Sequence, residues 1–150
     1  MKNNHITWFG RYEGYLRMIA RGVRDDNPKC IECAAKLFDL MLPEGATVVP
    51  MPGHHGHACQ MLSVVRKLVE RRGDITAYNV LKCEPHEANY SQKEYTTPAP
   101  IKMRLSTAIN FDGAGAFILD NVICTGVTAS AALEVLPDAT VVALAMSSWR

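Results

Sequence analysis

An acidic residue followed by a turn rich in hydroxyl side chains and glycine is the most informative pattern in the chain. Asp120 follows the apolar run 116–119, and Thr125-Gly126-Val127-Thr128 stands at the start of a predicted helix. Backbone N–H groups at a helix start, together with the helix dipole, favour a phosphate dianion, and Gly126 allows the backbone to come close to it. Asp120 lies beside this turn, where a carboxylate can accept hydrogen bonds from sugar hydroxyls. The pattern predicts a site for a sugar phosphate.

Alternating strand-like and helix-like segments must position this turn. Apolar or β-branched runs predict strands over 47–51, 75–81, 116–119 and 140–146. Apolar spacing predicts two leading helices over 11–24 and from Asn27-Pro28 to 42, a helix of about 15 residues after Gly53, and one from Thr128. This order predicts an α/β fold with a parallel sheet, whose ligands bind at the carboxyl ends of the strands. The loops 51–57 and 120–128 lie at those ends.

Composition limits the class of protein. The chain has 150 residues, 48% of them hydrophobic, and a net charge of +1, so we expect one globular domain without a strong field for nucleic acid or a membrane surface. No apolar run reaches the length of a membrane span, and the N-terminus has no apolar stretch of signal-peptide length. The five cysteines form no evident disulfide framework, so we expect reduced thiols in a cytoplasmic protein.

The segment 117–130 resembles the phosphoribosyl-pyrophosphate (PRPP) motif of type I phosphoribosyltransferases. Val48-Val49-Pro50-Met51-Pro52, before a His/Gly-rich turn, is similar to the first core strand and pyrophosphate loop of that family. The arrangement is most similar to the competence-protein ComF-like branch, and Asn110-Phe111 matches an Asn-Phe element of that branch. The resemblance covers roughly residues 46–146 and implies a Rossmann-like parallel sheet in a single domain over 1–150. Residues 1–45 would then supply the hood that recognises the acceptor.

The resemblance also implies a role for each matching position. Asp120 and Asn121 would be the catalytic, ribose-contacting pair. The 5′-phosphate loop would comprise Cys124, Thr125, Gly126, Val127 and Thr128, and the pyrophosphate loop Pro52, Gly53, His54 and His55. Segment 82–107 would be a flexible loop that closes over the site, with Lys93 and Arg104 in reach of pyrophosphate. Mg²⁺ would be the cofactor, held near Asp120 through PRPP. A homodimer is a common arrangement in the family.

The implied activity transfers a phosphoribosyl group from PRPP to a small acceptor, such as a nitrogenous base, and releases pyrophosphate. Two departures leave alternatives open. Most members have two adjacent acids where this chain has Asp120-Asn121, although uracil-type members also lack the second acid. His55-Gly56 replaces the Arg-Gly pair of the ComF-like loop. A non-catalytic PRPP or nucleotide sensor and a ComF-like DNA-uptake accessory protein are the alternatives, and the small net charge argues against strong non-specific DNA binding.

Metal-ligating and reactive residue types have competing interpretations. The cluster His54, His55 and His57, with Cys59 nearby, fits a pyrophosphate loop, a metal site or a solvated turn. Cys30 and Cys33 lack the second ligand pair of a structural zinc site, so we expect small core residues in a helix.

Two further features lie close to the predicted site or on the first helix. Cys124 stands near a helix start, which is expected to lower its pKa, but no base stands beside it to support a nucleophilic role. Arg17, Arg21 and Arg24 recur at helical spacing and are expected to form a solvated face, with contact to a substrate or partner as the alternative.

Overall fold

The computed structural model describes residues 5–56, 58–85, 101–106, 111 and 113–147. The first half of the chain forms β1 (Ile6–Arg11), α1 (Gly14–Arg24), α2 (Pro28–Met41), β2 (Thr47–Pro50) and α3 (Gln60–Arg71). The second half forms β3 (Thr76–Ala77), β4 (Leu81–Cys83), β5 (Met103–Leu105), β6 (Phe117–Ile123), α4 (Val127–Val135) and β7 (Thr140–Met146). Five strands make a parallel sheet in the order β1-β7-β6-β2-β3, which confirms the predicted α/β class.

Both faces of the sheet are covered by helices. On one face α1, α2 and α3 bury a core that includes Phe38, Leu68 and Leu119. On the other face α4 packs over Ile118, Val141 and Ala143. Because β6 and β7 are covered on both sides, the first part of β6 and most of β7 are apolar runs, which is why they could be predicted from the sequence. None of the described helices has the length and apolar content that crossing a membrane requires.

The sheet differs from the prediction at its two edges. β1 was not predicted; it pairs in parallel with β7, with Trp8 opposite Ala143. The predicted strand 75–81 is wrong as a single element, because Thr76–Ala77 joins the main sheet beside β2 while Leu81–Cys83 pairs with β5 in a separate antiparallel ribbon. Most of the predicted flexible loop, residues 86–100, lies outside the described residues.

Both predicted leading helices form and pack closely against each other, although the first begins at Gly14 because Arg11 belongs to β1. Asn27 caps α2, since its side-chain oxygen accepts hydrogen bonds from the backbone N–H groups of Lys29 and Cys30 at 3.0 and 3.2 Å. Gly22 of α1 lies directly against Cys30, so a side chain at position 22 would overlap the cysteine. Cys30 is therefore half-buried as expected, whereas Cys33 is exposed, and the expectation of a core position for it was wrong.

We predict that Gly22→Ala destabilises the protein, because the added methyl group would overlap both the Sγ and Cβ atoms of Cys30. Overpacking of this kind costs about 1–3 kcal/mol, more than the roughly 1 kcal/mol that alanine gains in helix propensity. Urea denaturation measures the loss. The double variant Gly22→Ala/Cys30→Gly removes the overlapping atoms, so a double-mutant cycle should show a favourable coupling; additive losses would contradict the packing.

Candidate functional site

A cleft of about 460 Å³ opens at the carboxyl ends of the strands. β2 leads through α3 to β3 on one side, and β6 leads through α4 to β7 on the other. The chain therefore turns in opposite directions at the boundary between β2 and β6, which is the position where open α/β sheets bind ligands. The loop after β2 and the turn after β6, which the sequence placed at the carboxyl ends of strands, both line this cleft.

Asp120 lies within β6 rather than after it, because the strand continues to Ile123. Its side chain lines the cleft, and its Oδ1 atom accepts a hydrogen bond from the backbone N–H of Asn121 at 2.8 Å. Burial raises the pKa of the Asp120 carboxyl to about 6, and the bond from Asn121 opposes that shift only in part. At neutral pH the group is mostly an anion that has lost much of its water, and it is poised to accept hydrogen bonds from a ligand.

Asn121 has a structural partner that the sequence did not indicate. Side chains alternate along a strand, so Asn121 points to the opposite face from Asp120, towards α1. Its Nδ2 atom donates a hydrogen bond to the backbone oxygen of Ala20 at 2.9 Å. Its Oδ1 atom is buried and has no hydrogen-bond partner among the described residues. Asn121 thus fastens α1 to the centre of the sheet.

The turn after β6 leads into α4 through a glycine with a left-handed backbone. Gly126 is the N-cap residue of α4 and has a left-handed backbone with φ of 82°, and nothing lies within 4 Å of the place where a Cβ atom would stand. Cys124, Gly126 and Thr128 line the cleft. Thr125 is exposed, and its Oγ1 atom accepts a hydrogen bond from the N–H of Val127 at 3.3 Å. Glycine is needed here for its φ angle, and the space beside it is open to a ligand.

The pKa expected for Cys124 was wrong in direction. Burial and the negative charge of Asp120 raise the pKa of this thiol, whereas the side chain of Ser147 lowers it by a smaller amount. Desolvation and a nearby negative charge both disfavour the thiolate form of Cys124. A thiol with a raised pKa is a poor nucleophile at neutral pH, so Cys124 contributes packing to the cleft wall.

The loop after β2 lines the same cleft as the turn after β6. Pro52, Gly53 and His54 line the cleft, while His55 is exposed, and the two imidazole rings have centroids 4.1 Å apart. The loop closes in a turn in which the N–H of Gly56 donates to the oxygen of Gly53 at 2.9 Å.

The antiparallel ribbon β4–β5 is attached to this turn. The N–H of Cys83 donates to the oxygen of Gly56 at 3.0 Å. Gly56 has a φ of 102°, and a Cβ atom there would overlap the carbonyl oxygen of Cys83. The two backbones can approach this closely only because residue 56 is glycine.

Several predicted site residues lie away from the cleft or outside the described part of the chain. Lys93, Asn110 and His57 lie outside the described residues. Arg104 is exposed on β5, opposite Lys82, and does not line the cleft. Phe111 stacks against Tyr78 with ring centroids 4.9 Å apart. No group of three metal-ligating side chains occurs in the ranges that the structure describes, which include Cys30 and Cys33.

Helix α1 forms a wall of the cleft that the sequence did not reveal. Two residues before α1, the N–H of Tyr12 donates to the oxygen of Met146 at the end of β7 at 2.8 Å. Ala20, further along, is held by Asn121, and the side chain of Gln60 at the start of α3 donates to the oxygen of Arg24 at 3.5 Å. The helix therefore crosses the carboxyl edge of the sheet from β7 past β6 to α3. Tyr12, Arg21, Arg24 and Gln60 all line the cleft.

A comparison with models of known protein families finds no match to this chain, and a comparison with curated proteins finds none either.

The raised pKa of Asp120 predicts a pH dependence of stability. An acid whose folded pKa of about 6 exceeds its ordinary value of 3.8 binds more protons in the folded state, so the ionisation of Asp120 lowers the stability of the wild type as pH rises from about 4 to about 6. Asp120→Asn lacks this ionisation. We expect the variant to gain stability relative to the wild type over that interval and to keep a constant advantage above about pH 7. Urea denaturation from pH 4 to pH 8 measures the difference in the free energy of unfolding between variant and wild type. A difference that does not change with pH would contradict the raised pKa of a buried carboxylate.

The bond from Asn121 predicts that restoring an acid at this position harms the fold. Asn121→Asp replaces the Nδ2 donor with an oxygen that faces the Ala20 carbonyl oxygen. An unsatisfied buried polar group costs about 1–3 kcal/mol, and we expect a loss of that size at pH 8 in urea denaturation. At low pH a protonated carboxyl can again donate to Ala20, so the loss should shrink. Equal stability of variant and wild type at pH 8 would show that the bond is unimportant.

Proposed function

We propose that the protein is a PRPP-dependent phosphoribosyltransferase of the type I class. The observation that carries the proposal is the meeting of three features at the boundary between β2 and β6. These are the Gly126 turn, the half-buried carboxylate of Asp120, and the facing loop of Pro52, Gly53 and His54. A ligand that carries a phosphate at one end, sugar hydroxyls in the middle and a second anionic group at the other end matches this arrangement.

Each group would act at one part of PRPP. The turn 124–128 would hold the 5′-phosphate through backbone N–H groups, and Asp120 would accept hydrogen bonds from the ribose hydroxyls. In the reaction the bond from C1 of the ribose to pyrophosphate breaks and a bond from C1 to the acceptor nitrogen forms, while the acceptor loses a proton. Positive charge develops on the ribose as pyrophosphate leaves. The carboxylate of Asp120, close to the sugar and partly shielded from water, would favour that charge.

Magnesium is the cofactor that the family resemblance implies, and the residues of the cleft fit it. Asp120 is the one carboxylate among the described residues that line the cleft. Mg²⁺ is usually bound by one or two carboxylates, several waters and the substrate's own phosphates, so a single carboxylate is sufficient when the ion arrives with PRPP. When bound, Mg²⁺ would neutralise charge on the pyrophosphate group.

A non-catalytic PRPP sensor is the second candidate, and the role of Asn121 favours it. The side chain that stands in place of the second acid is directed to Ala20 of α1. It therefore does not add a second charge beside the ribose. A protein of this kind would bind PRPP and change the position of α1 without releasing pyrophosphate.

We predict that Gly126→Ala weakens the binding of ribose 5-phosphate, because alanine disfavours a φ of 82° and would shift the N–H groups of the turn. The strain is about 1–2 kcal/mol, and a roughly tenfold loss of affinity in isothermal titration calorimetry is expected. Gly45→Ala is the matched control. Gly45 also has a positive φ, of 71°, with open space around it, but it lies before the amino end of β2. Both variants should lose similar stability, and only Gly126→Ala should lose affinity; equal affinities for the two would refute the phosphate turn.

Turnover separates the two candidates. Radiolabelled pyrophosphate exchange into PRPP and release of pyrophosphate with a panel of nitrogenous bases should be detectable for the wild type with Mg²⁺. Asp120→Asn should abolish both while ribose 5-phosphate still binds. Tight binding of PRPP without exchange or release for any base would support the sensor. If the wild type binds neither PRPP nor ribose 5-phosphate, both candidates are wrong.

A further inference from the structure

The positive charge that lines the cleft comes from helix α1. Among the described residues that line the cleft, Arg21, Arg24 and Asp120 are the ones with a full charge at neutral pH. Without the two arginines this lining would carry a net charge of −1, which would oppose a polyanionic ligand. With them it carries +1. The solvated face expected from the spacing of the arginines is therefore, at positions 21 and 24, a wall of the cleft.

The two guanidinium groups are placed to meet a ligand. They lie three positions apart on α1, so their side chains are neighbours on one face of the helix. No carboxylate among the described residues forms an ion pair with Arg21. Arg24 contacts Asp25 at 3.5 Å, and both side chains are well exposed, at 39% and 68%.

The position of the arginines in the cleft indicates which part of a ligand they face. The side chain of Gln60, at the first position of α3, reaches the backbone of Arg24. Gln60 follows the loop of Pro52, Gly53 and His54, so this end of α1 lies on the side of the cleft formed by the β2 loop. That loop supplies histidines rather than a permanent cation. A pair of adjacent guanidinium groups is well suited to a pair of linked phosphates, since each can donate two parallel hydrogen bonds.

We propose that Arg21 and Arg24 form a second anion subsite that binds the pyrophosphate group of the ligand, while the turn 124–128 binds the single phosphate at the other end. This inference rests on the proposed function for the identity of the ligand. It assigns to the N-terminal helix the cationic role that the β2 loop does not fill. Asn121 is then a positioning residue, because its bond to Ala20 holds the helix segment next to Arg21.

The two subsites can be tested separately with two probes, inorganic pyrophosphate and ribose 5-phosphate, by isothermal titration calorimetry at low ionic strength. Arg21→Gln and Arg24→Gln should each lower the affinity for pyrophosphate about 10-fold or more, and the double variant should lower it further. The affinity for ribose 5-phosphate should change by less than about threefold. Arg66→Gln is the matched control, since Arg66 is exposed on α3 and does not line the cleft. It removes the same charge and should affect neither probe.

Each other outcome is decisive. If Arg21→Gln and Arg24→Gln bind pyrophosphate as the Arg66→Gln control does, the second subsite is wrong while the proposed function stands. If the arginine variants lose affinity for both probes equally, the arginines act as a general field and the subsite is again wrong. If the wild type binds pyrophosphate through the arginines but binds neither ribose 5-phosphate nor PRPP, the proposed function fails and the anion subsite remains. Wild-type protein that binds none of these ligands would overturn both.

Discussion

The site depends on how firmly the central strand β6 is held. It is hydrogen-bonded to β2 on one side and to β7 on the other, and helices cover both of its faces. A shift of one residue in this pairing would exchange the two faces, so that each side chain of β6 would meet the wrong layer of helices. The same register sends Asp120 to the face of α4 and Asn121 to the face of α1. One residue faces the predicted ligand, and its neighbour positions the helix that closes the other side of the cleft.

Because Asp120 and Asn121 face opposite sides of the sheet, a pair of acids cannot simply replace the Asp-Asn pair here. A carboxylate at position 121 would accept hydrogen bonds but could not donate one to the backbone oxygen of Ala20. It would have a hydrogen-bond partner only if α1 lay elsewhere or supplied a donor. Asparagine at position 121 therefore suits a structure in which α1 crosses the sheet edge and presents a backbone oxygen to it. The substitution that first suggested a weakened catalyst is, in the structure, the attachment point of the cleft wall.

The sequence predicted the elements whose residues carry a strong local signal. β2, β6, β7 and the helices follow from apolar runs, helical spacing and the Asn27-Pro28 cap, and the turn at Gly126 follows from its glycine and hydroxyl residues. β1 was missed because an edge strand need not be apolar on both faces, and it carries Thr7, Gly10 and Arg11. The position of Arg21 and Arg24 in the cleft could not be derived from the sequence, which left a solvated face and contact with a substrate or partner as alternatives. Helical spacing shows which residues share a face, but only the contacts of α1 with three separate strands or helices show what that face meets. The pKa of Cys124 likewise depended on burial, which spacing does not report.

The pairing of β1 with β7 joins segments more than a hundred residues apart, and this has a consequence for how the cleft forms during synthesis. The hydrogen bond from Tyr12 to Met146 fixes the start of α1 only once β7 is in place. Contacts this distant in sequence are slow to form. The chain loses the entropy of closing the intervening loop before it gains the favourable free energy of the contact. As the chain leaves the ribosome, α1 and α2 can pack together early, but the wall of the cleft must wait for β7. The cleft should therefore take its final shape only after β7 has been synthesised and has paired with β1.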